Sequence, residues 1–340
     1  MKRRRFLQSV AGLAAASTVG AAATDGRKRD AAVADIGERP VRVGIVGCAE
    51  GTHGKVWGEA LATPDGQRFG MTPARVWDAD AAVAEQLART TGAVRVDGPY
   101  AVADGMDGVL ITELLPTRYL ELSQPFLEAG MRVFYNRPFA GSVADAKEIL
   151  RLAKEYGAKA YSASALYHTA AGEAARQKLP GLTPLRLFNM TGASDHLGFY
   201  LPHAIASLVS VLGIGVAKVQ ALSLRPRADA PQNAEAPVVV YVEYGPEAAV
   251  GPVRGVIEMI GPGAKWYAFV LKLFGADAEG EEIHFEVSYD MLLHTMARFF
   301  RTGEEPIPHE VLLEKTAIHY AALKSAAEGG RPVMPSELMG

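Results

Sequence analysis

The chain of 340 residues contains one cysteine, Cys48. A lone thiol closes no internal disulfide, so the fold has to be held by its core. Cys48 has no partners at the spacing of a metal site and reads as a small packing residue in a loop. Long apolar runs are also missing. The best candidate, Val10–Ala23, is short and rich in Ala, Gly, Ser and Thr, too weakly apolar for a stable membrane span. No basic stripe interleaved with aromatics occurs, which excludes the usual nucleic-acid binding surface. No internal repeat is present, and His284, His294, His309 and His319 lack metal-ligand spacing, so no metal is expected. Charge of one sign does not dominate, with 35 basic and 38 acidic residues. With 49% hydrophobic and 21% charged residues, the composition suits a soluble globular protein of about two domains.

What is present starts at the N-terminus. Lys2-Arg3-Arg4-Arg5-Phe6-Leu7-Gln8 matches the twin-arginine export pattern, and Ala21-Ala22-Ala23 offers a small-residue cleavage site. Residues 1–23 are therefore expected to be a signal peptide, and the protein periplasmic or secreted. Cleavage there leaves 31 basic and 38 acidic residues, a net charge of −7. Residues 24–40 form a polar arm of mixed charge.

The organising stretch is Val41–Ala60, VRVGIVGCAEGTHGKVWGEA. Val41–Val46 has the length and β-branched content of a buried strand. A small-residue loop spans Gly47–Gly54, and Lys55–Leu61 has helical spacing. Strand, glycine-rich turn and helix open a Rossmann unit, in which N–H groups at the helix start hold a pyrophosphate. Taking Gly47 as the first glycine of the G-x-G-x-x-G pattern puts Ala49 at the second and Thr52 at the third, and a shifted register through Gly51 and Gly54 is open. Cys48 and His53 sit in the same loop. A second strand, Pro73–Trp77, ends at Asp78, placed to accept from the ribose hydroxyls of NAD and to repel the 2′-phosphate of NADP. The competing role for Asp78 is to cap the helix Ala81–Arg89. Residues 62–72 read as an inserted loop.

Strands at Ala93–Val96, Asp107–Thr112, Met131–Tyr135 and Ala158–Ser164 alternate with helices at Tyr119–Ala129 and Val143–Tyr156, the latter opened by Ser142 and Asp145 as a capping box. Alternation of this kind predicts a parallel, doubly wound sheet over residues 41–164. Its ligand lies at the carboxyl ends of the strands, where Pro116 and Asn136-Arg137-Pro138 fall. Residues 165–340 differ in pattern. Strands at Leu185–Met190, Lys218–Leu224, Val238–Tyr244, Val253–Ile260, Trp266–Phe274 and Glu282–Val287 predict a mainly antiparallel open sheet, with helices near His203–Leu212, Ser288–Arg301 and Glu310–Ala327. The whole is an α/β protein with a Rossmann domain and a C-terminal α+β domain. The run Val238–Val242 is apolar on both faces and needs cover on both, which predicts a homo-oligomer unless helices supply it.

Four stretches together resemble the glucose–fructose oxidoreductase, inositol dehydrogenase and rhizopine-catabolism (Gfo/Idh/MocA) family. They are VGIVGCAEGTHG, LEAGMRVFYNRPFAGSVADAKEIL, GFYLPHAIASLVSVLG and ALKSAAEGGRPV, and the resemblance covers roughly residues 41–333. It implies an NAD(P)-linked oxidoreductase acting on sugars or cyclitols, often oligomeric through the second sheet. The family's Glu-Lys-Pro signature falls on Asn136-Arg137-Pro138. The arginine keeps charge and donors but exchanges no proton near neutral pH. The family's Asp-x-Gly-x-His pattern falls on Phe199–His203, where only His203 matches.

The resemblance therefore makes His203 the candidate general base and Arg137 the group orienting substrate or nicotinamide. Gly47, Cys48, Ala49, Thr52, His53, Asp78, Pro116 and Asn136 are the candidate contacts for NAD, with NADP as the other option. Tyr167, His168, Tyr200 and His196 are candidate substrate contacts. The expected function is an exported oxidoreductase acting on a sugar, polyol or glycoside, with a nucleotide it carries along. A transient ketone could also serve glycoside cleavage or isomerisation. The competing function, motivated by Arg137, Phe199 and Ala49, is a catalytically inactive sugar- or nucleotide-binding or scaffolding protein.

Overall fold

Val41–Val46 (β1) is a strand because its β-branched residues are buried on both sides of a parallel sheet, with Val43, Ile45 and Val46 fully enclosed. The computed structural model describes residues 39–192, 197–223, 237–260, 269–276, 280–287 and 289–340. The expected signal peptide lies outside the described residues, as does all of the arm before residue 39. After β1 come His53–Ala62 (α1), Met71–Trp77 (β2), Ala81–Thr91 (α2), Val94–Arg95 (β3), Gly108–Ile111 (β4), Tyr119–Glu128 (α3), Arg132–Tyr135 (β5), Val143–Tyr156 (α4) and Lys159–Ser162 (β6). All six strands run parallel in the order β3-β2-β1-β4-β5-β6. Chain order reverses between β1 and β4, which opens a crevice at their carboxyl ends. Residues 62–72 are not simply a loop: they hold the 3-10 turn Gly66–Phe69, and β2 already begins at Met71.

The second half is built from Ala170–Leu182 (α5), Leu185–Gly192 (β7), Leu197–Leu212 (α6), Val216–Ser223 (β8), Val238–Tyr244 (β9), Arg254–Met259 (β10), Phe269–Gly275 (β11) and Gly280–Phe285 (β12). Tyr289–Thr302 (α7), His309–Ala327 (α8) and Pro335–Met339 (α9) close the chain. The sheet order is β12-β11-β7-β10-β9-β8, antiparallel at every pairing except β7 with β10. Helix α6 packs on this sheet with Leu201, Ile205, Leu208 and Leu212 in the core. Along β9 burial alternates, and Val239 remains 36% exposed, so the far face of Val238–Val242 is not fully covered among the described residues. Helix α5 is one that the sequence pattern did not announce. Thr169 starts it by accepting from Gly172 N, and it buries only Gly172 and Ala175.

Helix α7 comes late in the chain yet completes the first core. Leu292, Met296, Phe299 and Phe300 pack with the residues of the parallel sheet. A Cβ on Gly108 would lie 2.3 Å from the Phe300 ring, so β4 begins with glycine because that ring fills the space. Among the described residues no helix is long and apolar enough to cross a membrane.

Candidate active site

The glycine-rich turn is built from both of its flanking strands. Gly47 donates its N–H to Trp77 O at 2.9 Å, and Cys48 donates to Asp78 Oδ2 at 2.7 Å. Asp78 Oδ1 accepts from Asp80 N at 3.0 Å. The cap of α2 is Asp80, which accepts from Ala82 N, so Asp78 is not the helix cap. Its carboxylate keeps lone pairs free for hydroxyl donors. Cys48 is 1% exposed, and burial together with the Asp78 charge pushes its thiol up to about 12. It is a packing residue whose contribution to the turn is its backbone.

Of the two registers left open by the sequence, the glycine contacts match the shifted one. Gly47 has φ +89°, and a Cβ there would lie 2.4 Å from the Glu113 backbone at the end of β4. The close helix–strand contact falls on Gly54, where a Cβ would meet Gly47 O at 2.1 Å and Thr112 Oγ1 at 2.4 Å. Thr52 is instead the N-cap of α1, accepting from Lys55 N and donating its hydroxyl to Ala49 O at 2.7 Å. The turn is thus G-x-x-x-G-x-x-G, two residues longer than the usual pattern, and Ala49 and Thr52 close the extra loop instead of facing a phosphate through bare backbone.

This cradle fits a dinucleotide. The N–H groups of His53 and Gly54 head α1 without intrahelical acceptors, and Gly51 is exposed between them and β1, with no described atom within 4 Å of where its Cβ would be. Lys55 pairs with Glu50 across its outer edge.

Beside the cradle, His53 stacks on Trp57 with centroids 4.6 Å apart. Its Nδ1 is 2.8 Å from Asn136 Oδ1 and its Nε2 is 3.2 Å from the Tyr289 hydroxyl. An Nδ1–H donating to Asn136, with Nε2 accepting from tyrosine, is the neutral tautomer. Burial first, then the nearby Arg137 charge, lowers this imidazole to about 4. His53 is therefore a neutral strut joining the turn to β5 and α7. Tyr289 was missed in the sequence reading because nothing local marks a residue 236 positions away. Pro116 opens the 3-10 turn after β4, half-buried near the crevice.

Arg137 and His203, from opposite halves of the chain, meet directly. Arg137 Nε–H donates to His203 Nε2 at 2.8 Å, and His203 Nδ1 lies 2.6 Å from Ser164 Oγ. An arginine N–H only donates, so Nε2 carries the lone pair and the proton sits on Nδ1, donating to Ser164. Burial, the Arg137 charge and His53, in that order, hold His203 well below its usual range. Burial also lowers Arg137, which faces the hydroxyls of Tyr119, Tyr289 and Tyr200. The Tyr200 ring is 6.0 Å from His203. Ser164, 3% exposed and just beyond the carboxyl end of β6, is a site residue the sequence reading passed over.

The other expected contacts are engaged elsewhere. His168 is hydrogen-bonded to the Tyr161 hydroxyl at 2.7 Å, and burial lowers it to about 4. Tyr167 lies under the Lys315 ammonium and borders a cavity of about 440 Å³ walled by Leu179, Val209 and Leu212. His196 lies outside the described residues. No group of three or more His, Cys, Asp or Glu side chains able to hold a metal occurs among the described residues.

Comparison with known proteins bears on this arrangement. Residues 41–164 match the family described as an oxidoreductase family with an NAD-binding Rossmann fold, Gfo/Idh/MocA. No curated protein matches the chain in sequence. Similar solved structures include a probable dehydrogenase from Thermotoga maritima, at TM-score 0.72 and 16% identity over 88% of this chain and 100% of the other. A myo-inositol dehydrogenase from Lactobacillus casei, solved with NAD(H) and myo-inositol, has TM-score 0.70 and 15% identity over 87% and 96%. The WlbA dehydrogenase from Chromobacterium violaceum, solved with NADH and UDP-GlcNAcA, has TM-score 0.66 and 16% identity over 88% and 97%. At such identities the likeness is one of fold, and it extends through the second sheet. Residues 41–164 are similar to the NAD-binding Rossmann domain of the Gfo/Idh/MocA oxidoreductase family.

Proposed function

We propose that the protein is an NAD-dependent oxidoreductase acting on a secondary hydroxyl of a sugar, polyol or glycoside. The observation that carries this reading is the Arg137–His203–Ser164 chain of hydrogen bonds standing next to the dinucleotide cradle, with residues drawn from both halves of the chain. Gly47, Gly54 and the α1 N-terminus would hold the pyrophosphate, and Asp78 would accept from the adenosine ribose. A bound oxidised nicotinamide would supply the hydride acceptor for the carbinol carbon. Asn136 and Tyr289 fix His53 and with it the start of α1. The Arg137 fork orients the substrate oxygen, and His203 takes its proton once Arg137 yields the Nε2 lone pair to the substrate. The carbohydrate class is supported by the myo-inositol and UDP-GlcNAcA found in structurally similar dehydrogenases.

One observation favours a second reading. Both His203 nitrogens are engaged, Nε2 by a guanidinium that never gives up its proton, which is the arrangement of a site that binds without turnover. One experiment separates the two. Purified protein is denatured, released nicotinamide is measured by absorbance and mass, and the apo protein is titrated with NAD and NADP before assay on a panel of polyols and aldoses. NAD binding with turnover supports the enzyme, NAD binding without turnover supports the second reading, and no nicotinamide binding removes both.

Two further parts of the reading are export and assembly. The Arg3-Arg4 motif supports twin-arginine export, and Lys at both positions should retain the precursor in the cytoplasm. The uncovered face of β9 supports a homo-oligomer, and a monomeric mass by light scattering would count against it.

A further inference from the structure

Behind the Arg137–His203 pair lies a space of about 30 Å³, bordered by Arg137, Ser162, Ser164, Lys315, Thr316 and His319. It has the size of a single water molecule. Three of its polar groups are short of a partner. Ser164 Oγ already accepts from Leu166 N at 3.0 Å and from His203 Nδ1 at 2.6 Å, so its own hydrogen is left to donate elsewhere. His319 is 3% exposed, and its Nδ1 has no hydrogen bond. Lys315 makes no hydrogen bond or ion pair among the described residues, and its ammonium rests 4.6 Å from the centroid of the Tyr167 ring. The Thr316 hydroxyl, by contrast, is spent on Leu312 O at 2.8 Å. An internal water needs two to four polar partners, and Ser164, His319 and Lys315 supply three.

We propose that Lys315 is the proton store of this site, reached from His203 through Ser164 and one water held between Ser164, His319 and Lys315. The proposal rests on the dehydrogenase reading above. In the oxidative direction the substrate hydroxyl displaces the Arg137 Nε–H and passes its proton to His203 Nε2. The Nδ1 proton moves to Ser164 Oγ, the Ser164 hydroxyl proton moves to the water, and a water proton moves to the neutral Lys315 amine, which becomes an ammonium. Histidine ends neutral in the other tautomer, serine and water end unchanged, and one proton has been transferred.

The chain of transfers answers a charge problem. An imidazolium on His203 would sit in hydrogen-bond contact with the Arg137 guanidinium, and burial adds to that cost, so His203 passes a proton on and does not keep it. Lys315, which borders the same space as Ser164, is a group able to keep it. Its neighbours are Tyr167 and His168 from the segment after β6, Arg137 across the space, and His319 on its own helix, with no carboxylate among them. Burial without a counter-charge brings Lys315 down to about 7, where it can both take and release a proton.

The first test needs neither cofactor nor substrate. Competitive acetylation of the wild-type protein across pH, read by mass spectrometry at each lysine, should give Lys315 a midpoint near 7. A midpoint above 9, like that of a surface lysine, overturns the proposal. The second test is the pH profile of kcat. The wild type should lose rate below pH 7 as the store fills. Lys315→Met should lower kcat by about 10²-fold or more and flatten that limb, with the NAD dissociation constant unchanged. Lys315→Arg, which keeps its proton throughout, should be equally slow. An acid limb retained in Lys315→Met overturns the relay while leaving the dehydrogenase reading in place. Failure of the wild type to bind NAD at all overturns that reading, and the relay with it.

Discussion

Replacing Gly54 with alanine sets two well-measured tendencies against each other. Alanine is a better helix former than glycine by about 1 kcal/mol, so propensity alone makes Gly54→Ala stabilising. Packing says the opposite. The new Cβ would lie 2.1 Å from Gly47 O, 2.4 Å from Thr112 Oγ1 and 3.1 Å from Ile45 Cγ2. Neither oxygen is the tip of a flexible chain, because the Thr112 hydroxyl is hydrogen-bonded to Gly47 O at 2.6 Å. Helix α1 has to retreat by about 1 Å to restore even a 3.0 Å contact. Overpacking of this kind costs about 1–3 kcal/mol, which set against the propensity gain of about 1 kcal/mol leaves a net loss of about 0–2 kcal/mol. The retreat also moves the N–H groups of His53 and Gly54 away from the pyrophosphate, and a misplacement near 1 Å can cost about 10²-fold in turnover. Urea denaturation and NAD titration read the two effects separately. Gly51→Ala is the control, since φ is +82° but no atom lies within 4 Å of the added methyl. It should lose stability through backbone strain with far less loss of NAD affinity. A Gly54→Ala protein that melts at or above the wild type and binds NAD equally well would refute the packing argument.

Asp78→Asn should weaken NAD binding and shrink the NAD-to-NADP affinity ratio in calorimetric titration, because one of the N–H donors of Cys48 and Asp80 loses its acceptor and the charge that repels a 2′-phosphate is gone. An unchanged ratio removes Asp78 from the ribose site. Burial holds His53, His168 and His319 near 4 against a usual 6.5, so between these values the unfolded chain binds protons that the folded one does not. The histidine contribution to stability is therefore full above about pH 6.5 and should fall towards pH 4, and a flat urea midpoint across that window contradicts it. Lys315, lowered from 10.5 to about 7, adds a second rise in stability between those values that Lys315→Met should abolish. Cys48, buried and held near 12, should resist iodoacetamide at pH 8 in the folded protein and react fully in urea.

Local patterns made much of this legible. Val41–Val46, the turn after it and the strands ending at Asp78 and Tyr135 are marked by β-branched runs and glycines that act within a few residues. His203 and Arg137 lie 66 positions apart and were paired only through the family motifs, and the structure puts them in contact. What stayed hidden depends on distance in the chain. Tyr289 reaches His53, and α7 fills the first core, through packing that no window of sequence contains. Helix α5 was masked because Gly172, Pro180 and Gly181 interrupt its period and its buried face is small. The glycine register stayed open because the turn carries two extra residues, and spacing alone does not say which glycine touches the strand. Ser164, Lys315 and His319 gain their character from burial and from missing partners, which composition does not reveal.

The arginine at 137 accounts for why the charge in this site is arranged as it is. A lysine in its place could lose its proton, and a neighbouring histidine could then become charged without repulsion. A guanidinium stays positive, and here it acts on two imidazoles at once, lowering His53 beside the cradle and His203 on α6. Each then settles as a neutral tautomer chosen by its hydrogen bonds: Asn136 and Tyr289 for His53, Arg137 and Ser164 for His203. For His53 the result is rigidity, since a neutral ring stacked on Trp57 has no reason to move when an anion arrives at the α1 N-terminus. For His203 the result is direction, since its Nδ1 proton can leave only towards Ser164. Lys315, a lowered cation with no acceptor among the described residues, borders the same space as that serine, on α8. A fixed charge at 137 and a titrating one at 315 are in this sense two halves of one arrangement, and neither position is intelligible from its own segment of chain.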